Sequence, residues 1–267
     1  MIIDSHTHVY PEKVAARAID TMEAISATHG LRAVSDGTKA SLIKSMKENG
    51  IDYSVILPVA TRPEQVESIN NWSVEQHNPE EGLIFFGALH PDFESFEKEI
   101  ERIAGFGFKG IKFHGEFQQF RIDDEKMMPV YQAISDAGLC LFMHAGEELL
   151  THCEHRATPK MIANIAKRCP ELKIVAAHGG GFRMWDEFLE FVAGNLNVWI
   201  DISMTPGYID DETRDKIFEK HGWERIMYGS DYPWMKQETA LKYILDLGLS
   251  EEKEKAILGE NVAKLVF

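Results

Sequence analysis

The sequence predicts an α/β fold, a (β/α)8 barrel of the TIM type in which eight parallel strands alternate with helices. Two observations lead to this prediction. Short apolar runs that suit buried strands recur along the whole chain, and segments with helical periodicity and a polar face lie between them. After the first connection the runs repeat about every 25 to 33 residues, which is the length of one strand-helix unit.

Eight runs are the predicted strands. They span residues 1–4, 54–59, 83–89, 110–113, 139–143, 173–177, 198–202 and 225–228. Each is short and mostly apolar, as a strand buried on both faces requires. A doubly wound open sheet is the main alternative, but no G-x-G-x-x-G motif follows the first run, where a dinucleotide-binding fold would carry it.

Amphipathic segments fill the connections between these strands. The first connection is long enough for two helices, near 12–28 and 39–49, and the later helices are predicted at 64–77, 95–104, 124–137, 158–168, 185–193, 211–221 and 239–247. An extra C-terminal helix at 251–266 is expected on the outside of the barrel. Glycines stand where helices must end before the next strand, as left-handed caps would, at Gly50, Gly105, Gly107 and Gly138.

The composition indicates a globular protein that acts on small molecules. No linker interrupts the repeat, so residues 1–267 are predicted to form one domain. The formal net charge of -15 argues against nucleic acid or an anionic membrane as a partner. Three scattered cysteines (Cys140, Cys153 and Cys169) argue against a disulfide framework, and the N-terminus lacks the pattern of a signal peptide. We therefore expect a cytoplasmic protein, and exposed aromatic residues leave a homodimer open.

Histidines gather at the carboxyl ends of the predicted strands, where barrel enzymes carry their catalytic groups. Six of the 11 histidines occupy these ends, namely His6, His8, His90, His114, His144 and His178. Asp231 follows the eighth strand. Independent structural roles would not bring all of these side chains to one rim, so the pattern predicts a shared site. Three other histidines, His29, His77 and His221, are expected at the surface.

Four of these side chains suit a catalytic metal site. His6 and His8 stand two residues apart, so their imidazoles share one face of an extended strand. His144 and Asp231 would add ligands from the fifth and eighth strands, and three or four such ligands with one open position make a catalytic zinc site. Taken singly, His144 could be a hydrogen-bonded core histidine and Asp231 a helix N-cap.

The order of these residues resembles the amidohydrolase superfamily, specifically its amidohydrolase-2 branch, which includes aminocarboxymuconate semialdehyde decarboxylase and related decarboxylases and hydrolases. The similarity covers nearly the full chain. It is carried by the segments 4–8 (DSHTH), 107–114 (GFKGIKFH), 143–146 (MHAG), 169–180 (CPELKIVAAHGG), 228–233 (YGSDYP) and 259–265 (GENVAKL).

The resemblance implies one divalent metal ion on His6, His8, His144 and Asp231, with Zn²⁺ the first choice and Mn²⁺, Fe²⁺ or Co²⁺ compatible with the same donors. It gives Asp231 the role of proton acceptor and makes His178 the group that orients water or polarises the substrate. Binuclear members carboxylate a fourth-strand lysine. We favour one metal here, with Lys112 as an internal ion-pair partner and His114 as a substrate contact.

The expected activity is hydrolysis of an amide, ester or lactone bond in a small molecule by metal-activated water. Non-oxidative decarboxylation of an unsaturated or aromatic acid is the alternative, because it uses the same residue types. A binding barrel without activity is the third interpretation, although a binding module needs no proton shuttle.

The loops after the strands are expected to form the substrate pocket. His90 and Arg62 are predicted to line it, and His152 and His155 lie in a polar loop near the same rim. Four arginines could clamp a substrate carboxylate, namely Arg62, Arg121, Arg156 and Arg183.

Overall fold

The structure, a computed structural model, describes residues 1–149 and 154–267 and follows the predicted order of strands and helices. The strands are β1 (Ile3–Thr7), β2 (Tyr53–Ile56), β3 (Leu83–Phe85), β4 (Gly87–Ala88), β5 (Gly110–Phe113), β6 (Cys140–Met143), β7 (Ile174–Ala176), β8 (Val198–Asp201) and β9 (Ile226–Met227). All neighbouring strands are parallel, in the orders β1-β2-β3 and β4-β5-β6-β7-β8-β9.

Backbone hydrogen bonds join the last strand to the first. The Ser5 N–H donates to the Tyr228 carbonyl at 3.0 Å, and the Asp231 N–H donates to the His6 carbonyl at 2.8 Å. Beyond them, the His8 N–H reaches the Tyr232 carbonyl at 2.6 Å. Together with the consecutive β3 and β4, these bonds complete the predicted (β/α)8 barrel.

Three local predictions were wrong. The run 83–89 forms two strands, because the chain changes its pairing partner from β2 to β5 at Phe86. The first strand extends through Thr7, so His6 lies inside it and only His8 follows it. Gly105 is the last residue of a helix and has no left-handed backbone, whereas Gly50, Gly107 and Gly138 do.

Eleven helices surround the strands in the described part of the chain. They are α1 (Glu12–Ile25), α2 (Lys39–Asn49), α3 (Val66–Gln76), α4 (Phe96–Gly105), α5 (Met128–Asp136), α6 (Pro159–Arg168), α7 (Trp185–Phe191), α8 (Asp211–His221), α9 (Gln237–Leu245), α10 (Glu251–Lys255) and α11 (Asn261–Val266). Side-chain caps begin several of them: Thr38 accepts from the Ser41 N–H before α2, and Asp210 accepts from the Thr213 N–H before α8.

The extra C-terminal helix is present and is interrupted by a π-helical turn, Ala256–Glu260, between α10 and α11. Its apolar face closes one end of the barrel, since Val262 and Leu265 belong to the same buried cluster as Ile3 and Met227. The Tyr228 N–H donates to the Ile257 carbonyl at 2.8 Å, which fixes this segment to the chain after β9. No helix of the described residues is long and apolar enough to cross a membrane.

Candidate metal centre

His6, inside β1, and His8, just after it, are both oriented through Nδ1, so that each presents Nε2 to the same site. His8 Nδ1 lies 2.8 Å from the Leu57 carbonyl, which can only accept a hydrogen bond, so Nδ1 carries the proton and Nε2 keeps its lone pair. His6 Nδ1 lies 3.1 Å from Oδ2 of the buried Asp201, an arrangement that orients metal-binding histidines in the same way. Burial, reinforced by the nearby Lys112, lowers the pKa of His6, so its imidazole is neutral at pH 7.

Asp231 completes a triangle of lone-pair donors. Its Oδ1 lies 3.3 Å from His6 Nε2 and 3.1 Å from His8 Nε2, and the two nitrogens are 3.2 Å apart. Ligand atoms at zinc-ligand distances of about 2.0 to 2.1 Å around a tetrahedral ion lie about 3.3 Å from one another. The triangle therefore has the dimensions of one face of a metal site. These three residues fit a divalent ion, which would relieve the repulsion between their lone pairs.

The Asp231 carboxylate is charged and is held in an uncommon backbone conformation. Burial alone would raise its pKa, but the imidazoles of His6, His8 and His178 hold the pKa of Asp231 below its usual value. Its φ of 63° is left-handed, as are those of His178 (59°) and Met204 (56°), and such backbone strain concentrates at functional sites. Asp231 caps no helix, because α9 begins at Gln237.

Lys112 extends into the same space from β5. Its Nζ lies 3.4 Å from His6 Nε2 and 4.6 Å from the centre of the Phe142 ring. The expected internal ion pair is absent, since no carboxylate oxygen of the described residues comes within 4.0 Å of Nζ. Burial lowers the pKa of Lys112 to about 8, although the charges of Asp231 and Asp201 oppose this shift. The ammonium group is thus nearly desolvated.

A hydrogen-bond network behind the triangle includes His178. His178 Nδ1 lies 2.9 Å from Ser203 Oγ, and the Ser203 hydroxyl in turn donates a short bond to Asp201 Oδ1. The His178 ring stacks on the His6 ring with centroids 5.1 Å apart. Asp201 therefore orients His6 directly and His178 through Ser203. The sequence analysis did not identify either residue, although a polar Asp201 at the carboxyl end of an apolar strand was a usable signal.

His144 lies beside this centre in a second group of potential ligands. Among the described residues, the groups of three whose ligand atoms all lie within 4.8 Å are His6, His8 and Asp231; His6, His178 and Asp201; and His114, His144 and Glu148. The predicted fourth ligand thus lies outside the first group, with its ring centre 5.0 Å from that of His178. His144 Nε2 is buried without a hydrogen-bond partner in the described structure, so His144 is not a satisfied core histidine.

The second group contains an imidazole stack and one carboxylate. The His114 and His144 rings are nearly parallel, at 12°, with centroids 4.3 Å apart. Glu148 Oε2 lies 2.9 Å from His114 Nε2 and 3.6 Å from His144 Nε2. Burial lowers the pKa of both histidines, which keeps them neutral. The predicted substrate contact His114 is therefore within the site.

Two other predicted substrate contacts lie elsewhere. His90 is buried, and its Nδ1 accepts the Asp92 N–H at 3.2 Å. Arg62 is exposed and precedes the short turn Pro63–Gln65. Neither lines the cavity formed by the described residues. The remaining arginines pair with acids, Arg121 with Asp123, Arg156 with Glu154 and Arg183 with Glu147, and His152 lies outside the described residues.

The metal-site triangle opens into a cavity of about 720 Å³. The cavity is lined by the predicted residues His6, His8, Lys112, His114, His144, His178 and Asp231. Phe117, Phe182 and Trp234 are aromatic residues that also line it, and Arg17 of α1 is a lining residue that the sequence analysis missed. A pocket that is mostly apolar with a few convergent polar groups is typical of an enzyme for small molecules.

Comparisons with known proteins agree with this description. The family model described as Amidohydrolase matches residues 3–267. No curated protein matches the chain significantly. Similar solved structures include 5-carboxyvanillate decarboxylase from Sphingomonas paucimobilis, with 20% identity, coverage of 99% of this chain and 98% of that chain, and a TM-score of 0.71.

Two further structures are similar over nearly their whole length. Dihydroxybenzoic acid decarboxylase from a Polaromonas species, with bound manganese and the inhibitor 2-nitroresorcinol, has 18% identity, coverage of 99% and 96%, and a TM-score of 0.73. A protein assigned as a 2-pyrone-4,6-dicarboxylic acid hydrolase from Pseudomonas putida has 19% identity, coverage of 99% and 97%, and a TM-score of 0.70. At these identities the likeness establishes the fold alone.

Proposed function

The chain belongs to the amidohydrolase family, and from this membership we propose that it is a metal-dependent hydrolase that cleaves an amide, ester or lactone bond in a small molecule. The triangle of His6 Nε2, His8 Nε2 and Asp231 Oδ1, with sides of 3.1 to 3.3 Å, is the observation that carries the proposal. It lies at the base of a cavity large enough for a small-molecule substrate.

We assign His6, His8 and Asp231 as metal ligands and keep His144 as the fourth. Its assignment is supported by its Nε2, which is buried without a hydrogen bond in the described structure, and by its ring centre, which lies 5.0 Å from that of His178. Nitrogen and carboxylate donors favour Zn²⁺, and Mn²⁺, Fe²⁺ or Co²⁺ suit the same set. When bound, such an ion would lower the pKa of a water molecule toward about 7 and would polarise a carbonyl oxygen.

Asp231 serves as the general base and then as the acid. Its pKa is held below the usual value, so the carboxylate is ionised at pH 7 and can take a proton from the attacking water. The same carboxylate then returns the proton to the leaving group. His178 has Nδ1 engaged by Ser203, which leaves Nε2 to orient the water or the substrate.

Decarboxylation of an unsaturated or aromatic acid is the second candidate. Two of the solved structures named above are a 5-carboxyvanillate decarboxylase and a dihydroxybenzoic acid decarboxylase. Phe117, Phe182 and Trp234 could stack on an aromatic ring, and the nearly desolvated Lys112 could attract a carboxylate. Release of carbon dioxide, as against incorporation of labelled oxygen from water, distinguishes the two reactions.

Metal content and turnover test the proposal together. We expect the protein purified without added metal to contain a stoichiometric divalent ion by elemental analysis, and His6→Ala and His8→Ala to lose it. Glu12→Ala, an exposed position nearby on α1, is the control and should retain the ion. Unchanged metal content in both histidine variants would remove the triangle as the metal site. No turnover of a panel of lactones, esters, amides and aromatic acids by metal-loaded protein would favour a binding barrel.

A further inference from the structure

The cavity extends well beyond the candidate catalytic centre. Its volume of about 720 Å³ is about five times the roughly 150 Å³ of a protein cavity that holds one benzene molecule. Most of the candidate ligands that line it are buried, whereas the lining residues of α1 and α3 are half-buried or exposed, so the part of the cavity along these two helices is the outer part. The outer part lies along α1 and α3, and a single small ring bound at the metal-site triangle would leave it unfilled.

The outer part of the cavity has apolar side chains on two helices. Val14, Ala18 and Met22 follow one face of α1 at spacings of four residues, and Ile69 and Trp72 lie on one face of α3. We call the space lined by these five residues the apolar arm. From Val14 to Met22 the helix rises about 12 Å, which gives the approximate length of the arm.

The charges of these walls restrict what can lie against them. Other lining residues of the two helices and the turn before α3 are Arg17, Thr21, Gln65 and Ser68. Within the described structure, Arg17 is the single charged residue on these walls, and no acid lines them. Each Å² of apolar surface that an apolar ligand buries there contributes about 25 cal/mol to binding, whereas a cationic chain would meet no carboxylate on these walls.

We infer that the substrate carries an extended apolar substituent, such as an alkyl or acyl chain, which occupies the apolar arm while its reactive group meets the metal-site triangle. The inference rests on the proposed function for the position of the reactive group. It is supported by the continuity of the arm with the candidate centre in one cavity, by its apolar walls and by its length. A substrate with a second carboxylate in the arm could form an ion pair there with Arg17 and with no other residue of these walls.

Binding of alkyl hydroxamates to the metal-loaded protein tests the inference without turnover. A hydroxamate head binds a metal ion, and the series from acetohydroxamate through butyrohydroxamate to octanohydroxamate adds methylene groups that would enter the arm. We expect the dissociation constant from calorimetry to fall about two- to fourfold for each added methylene, in line with about 0.8 kcal/mol per buried CH₂. A dissociation constant independent of chain length would overturn the inference.

Substitutions on the walls of the arm locate the effect. Ala18→Trp fills the arm from α1, and Ser68→Trp fills it from the exposed side of α3. Both should reduce the ratio of the acetohydroxamate to the octanohydroxamate dissociation constant at least tenfold. Ala16→Trp introduces the same side chain on the exposed face of α1 and should keep the ratio. If both variants fold and keep the wild-type ratio of dissociation constants, the alkyl chain of the ligand does not bind in the arm.

A second series of titrations tests the apolar arm independently of the proposed metal centre. Acetate and octanoate are titrated into protein stripped of metal by a chelator, so that the two ligands share the carboxylate and differ only in the chain that would enter the arm. Tighter binding of octanoate, lost in Ser68→Trp, supports the arm even if no hydroxamate head binds and the metal proposal fails. If acetohydroxamate binds and longer hydroxamates bind no more tightly, the result supports the metal centre and contradicts the inference that the substrate carries an apolar substituent.

Discussion

Asp201 lies behind the candidate centre and orients its histidines through hydrogen bonds. It holds His6 Nδ1 at 3.1 Å and reaches His178 through Ser203. Partners of this kind typically change metal affinity ten- to a hundredfold when they are replaced. The tautomer of His6, and with it the availability of Nε2, therefore depends on a residue 195 positions away in the sequence.

We predict that Asp201→Asn lowers the affinity for Zn²⁺ about ten- to a hundredfold while the protein remains folded, because an amide no longer favours a protonated His6 Nδ1. Competition with a fluorescent chelator measures this affinity. Asp20→Asn, at an exposed position of α1, is the control and should bind metal normally. Equal affinities in the two variants would contradict the role of Asp201.

Replacement of Asp231 tests the proton transfer. Asp231→Asn keeps the size of the side chain but cannot accept a proton from water, so kcat should fall about a hundred- to ten-thousandfold. The measurement is kcat on the best substrate of the panel, with metal content determined in the same samples. Near-normal kcat in metal-loaded Asp231→Asn would rule out the carboxylate as the general base.

His221 corrects one prediction, because it is fully buried and not at the surface. Its Nδ1 accepts the Gly194 N–H at 3.3 Å. Burial lowers the pKa of His221 to about 3. In the unfolded chain the imidazole takes up a proton below about pH 6.5, whereas the folded protein excludes it. Stability from this residue is thus present above pH 6.5 and is lost as the pH falls toward 3.

We predict that His221→Gln weakens the dependence of stability on pH. Each pH unit below 6.5 should cost the wild type up to about 1.4 kcal/mol through this residue, a slope that glutamine cannot produce. Urea unfolding at pH 7 and pH 5 gives the free energies to compare. His29→Gln removes an exposed histidine and should keep the wild-type slope. If the unfolding free energies of His221→Gln and His29→Gln depend on pH in the same way, His221 has no such effect.

The residues that sequence analysis identified differ from those it missed in how their contacts are made. His6, His8 and Asp231 were predicted because the repeat places each of them at or after the carboxyl end of a predicted strand. Ser203 and Arg17 come close to the site because parts of the barrel that are distant in the sequence pack together. This packing cannot be predicted from a single sequence. His90 and Arg62 stand at equally suitable rim positions, but their side chains lie outside the described cavity.

At the scale of elements, the closing C-terminal segment depends on close packing against the start of the chain. A Cβ added at Gly259 would lie 2.4 Å from the Met1 carbonyl oxygen. Glycine is thus required there by the close approach of backbone, within the π-helical turn that precedes α11. Neither the turn nor this contact could be predicted, since the periodicity of 251–266 indicates a helix but not its partner.

Gly259→Ala should therefore destabilise the protein by about 1 to 3 kcal/mol, as overpacking of a buried site typically does. Gly105→Ala is the matched control, because no atom lies within 4 Å of its added Cβ, and alanine in a helix should stabilise by up to about 1 kcal/mol. Chemical unfolding of both variants measures the difference. If Gly259→Ala is as stable as the control variant, the backbone at Met1 moves away from the added methyl group without a loss of stability.

The split of the third strand shows where element prediction reached its limit. Residues 83–89 are almost uniformly apolar, so their pattern predicts one strand and contains no mark of a change of partner. The chain nevertheless pairs with β2 before Phe86 and with β5 after it. The number and order of the barrel strands followed from the repeat, whereas local register depended on tertiary contacts.

At the scale of the whole molecule, metal binding should contribute to the stability of the barrel. The proposed ligands come from β1, from the chain after β6 and from the chain after β9, so an ion would link the first, middle and last parts of the fold. An ion present at a thousand times its dissociation constant stabilises the folded state by about 4 kcal/mol.

We predict that Zn²⁺ raises the melting temperature by roughly 10 °C and that a chelator reverses the change, given about 2 to 4 °C per kcal/mol for chains somewhat shorter than this one. Differential scanning calorimetry provides the measurement. His8→Ala should melt at the same temperature with and without the ion. A similar rise in that variant would indicate that the stabilising ion binds elsewhere.

The left-handed backbone of His178, Met204 and Asp231 has a practical consequence for directed evolution of new substrate specificity. Met204 lines the cavity without belonging to the ligand set, so it is an attractive position for a mutant library. β-Branched residues strongly disfavour this backbone conformation, whereas glycine, asparagine and aspartate tolerate it. A library at position 204 should therefore omit valine, isoleucine and threonine. Variants with these residues would be lost because they fold poorly, whatever their effect on catalysis.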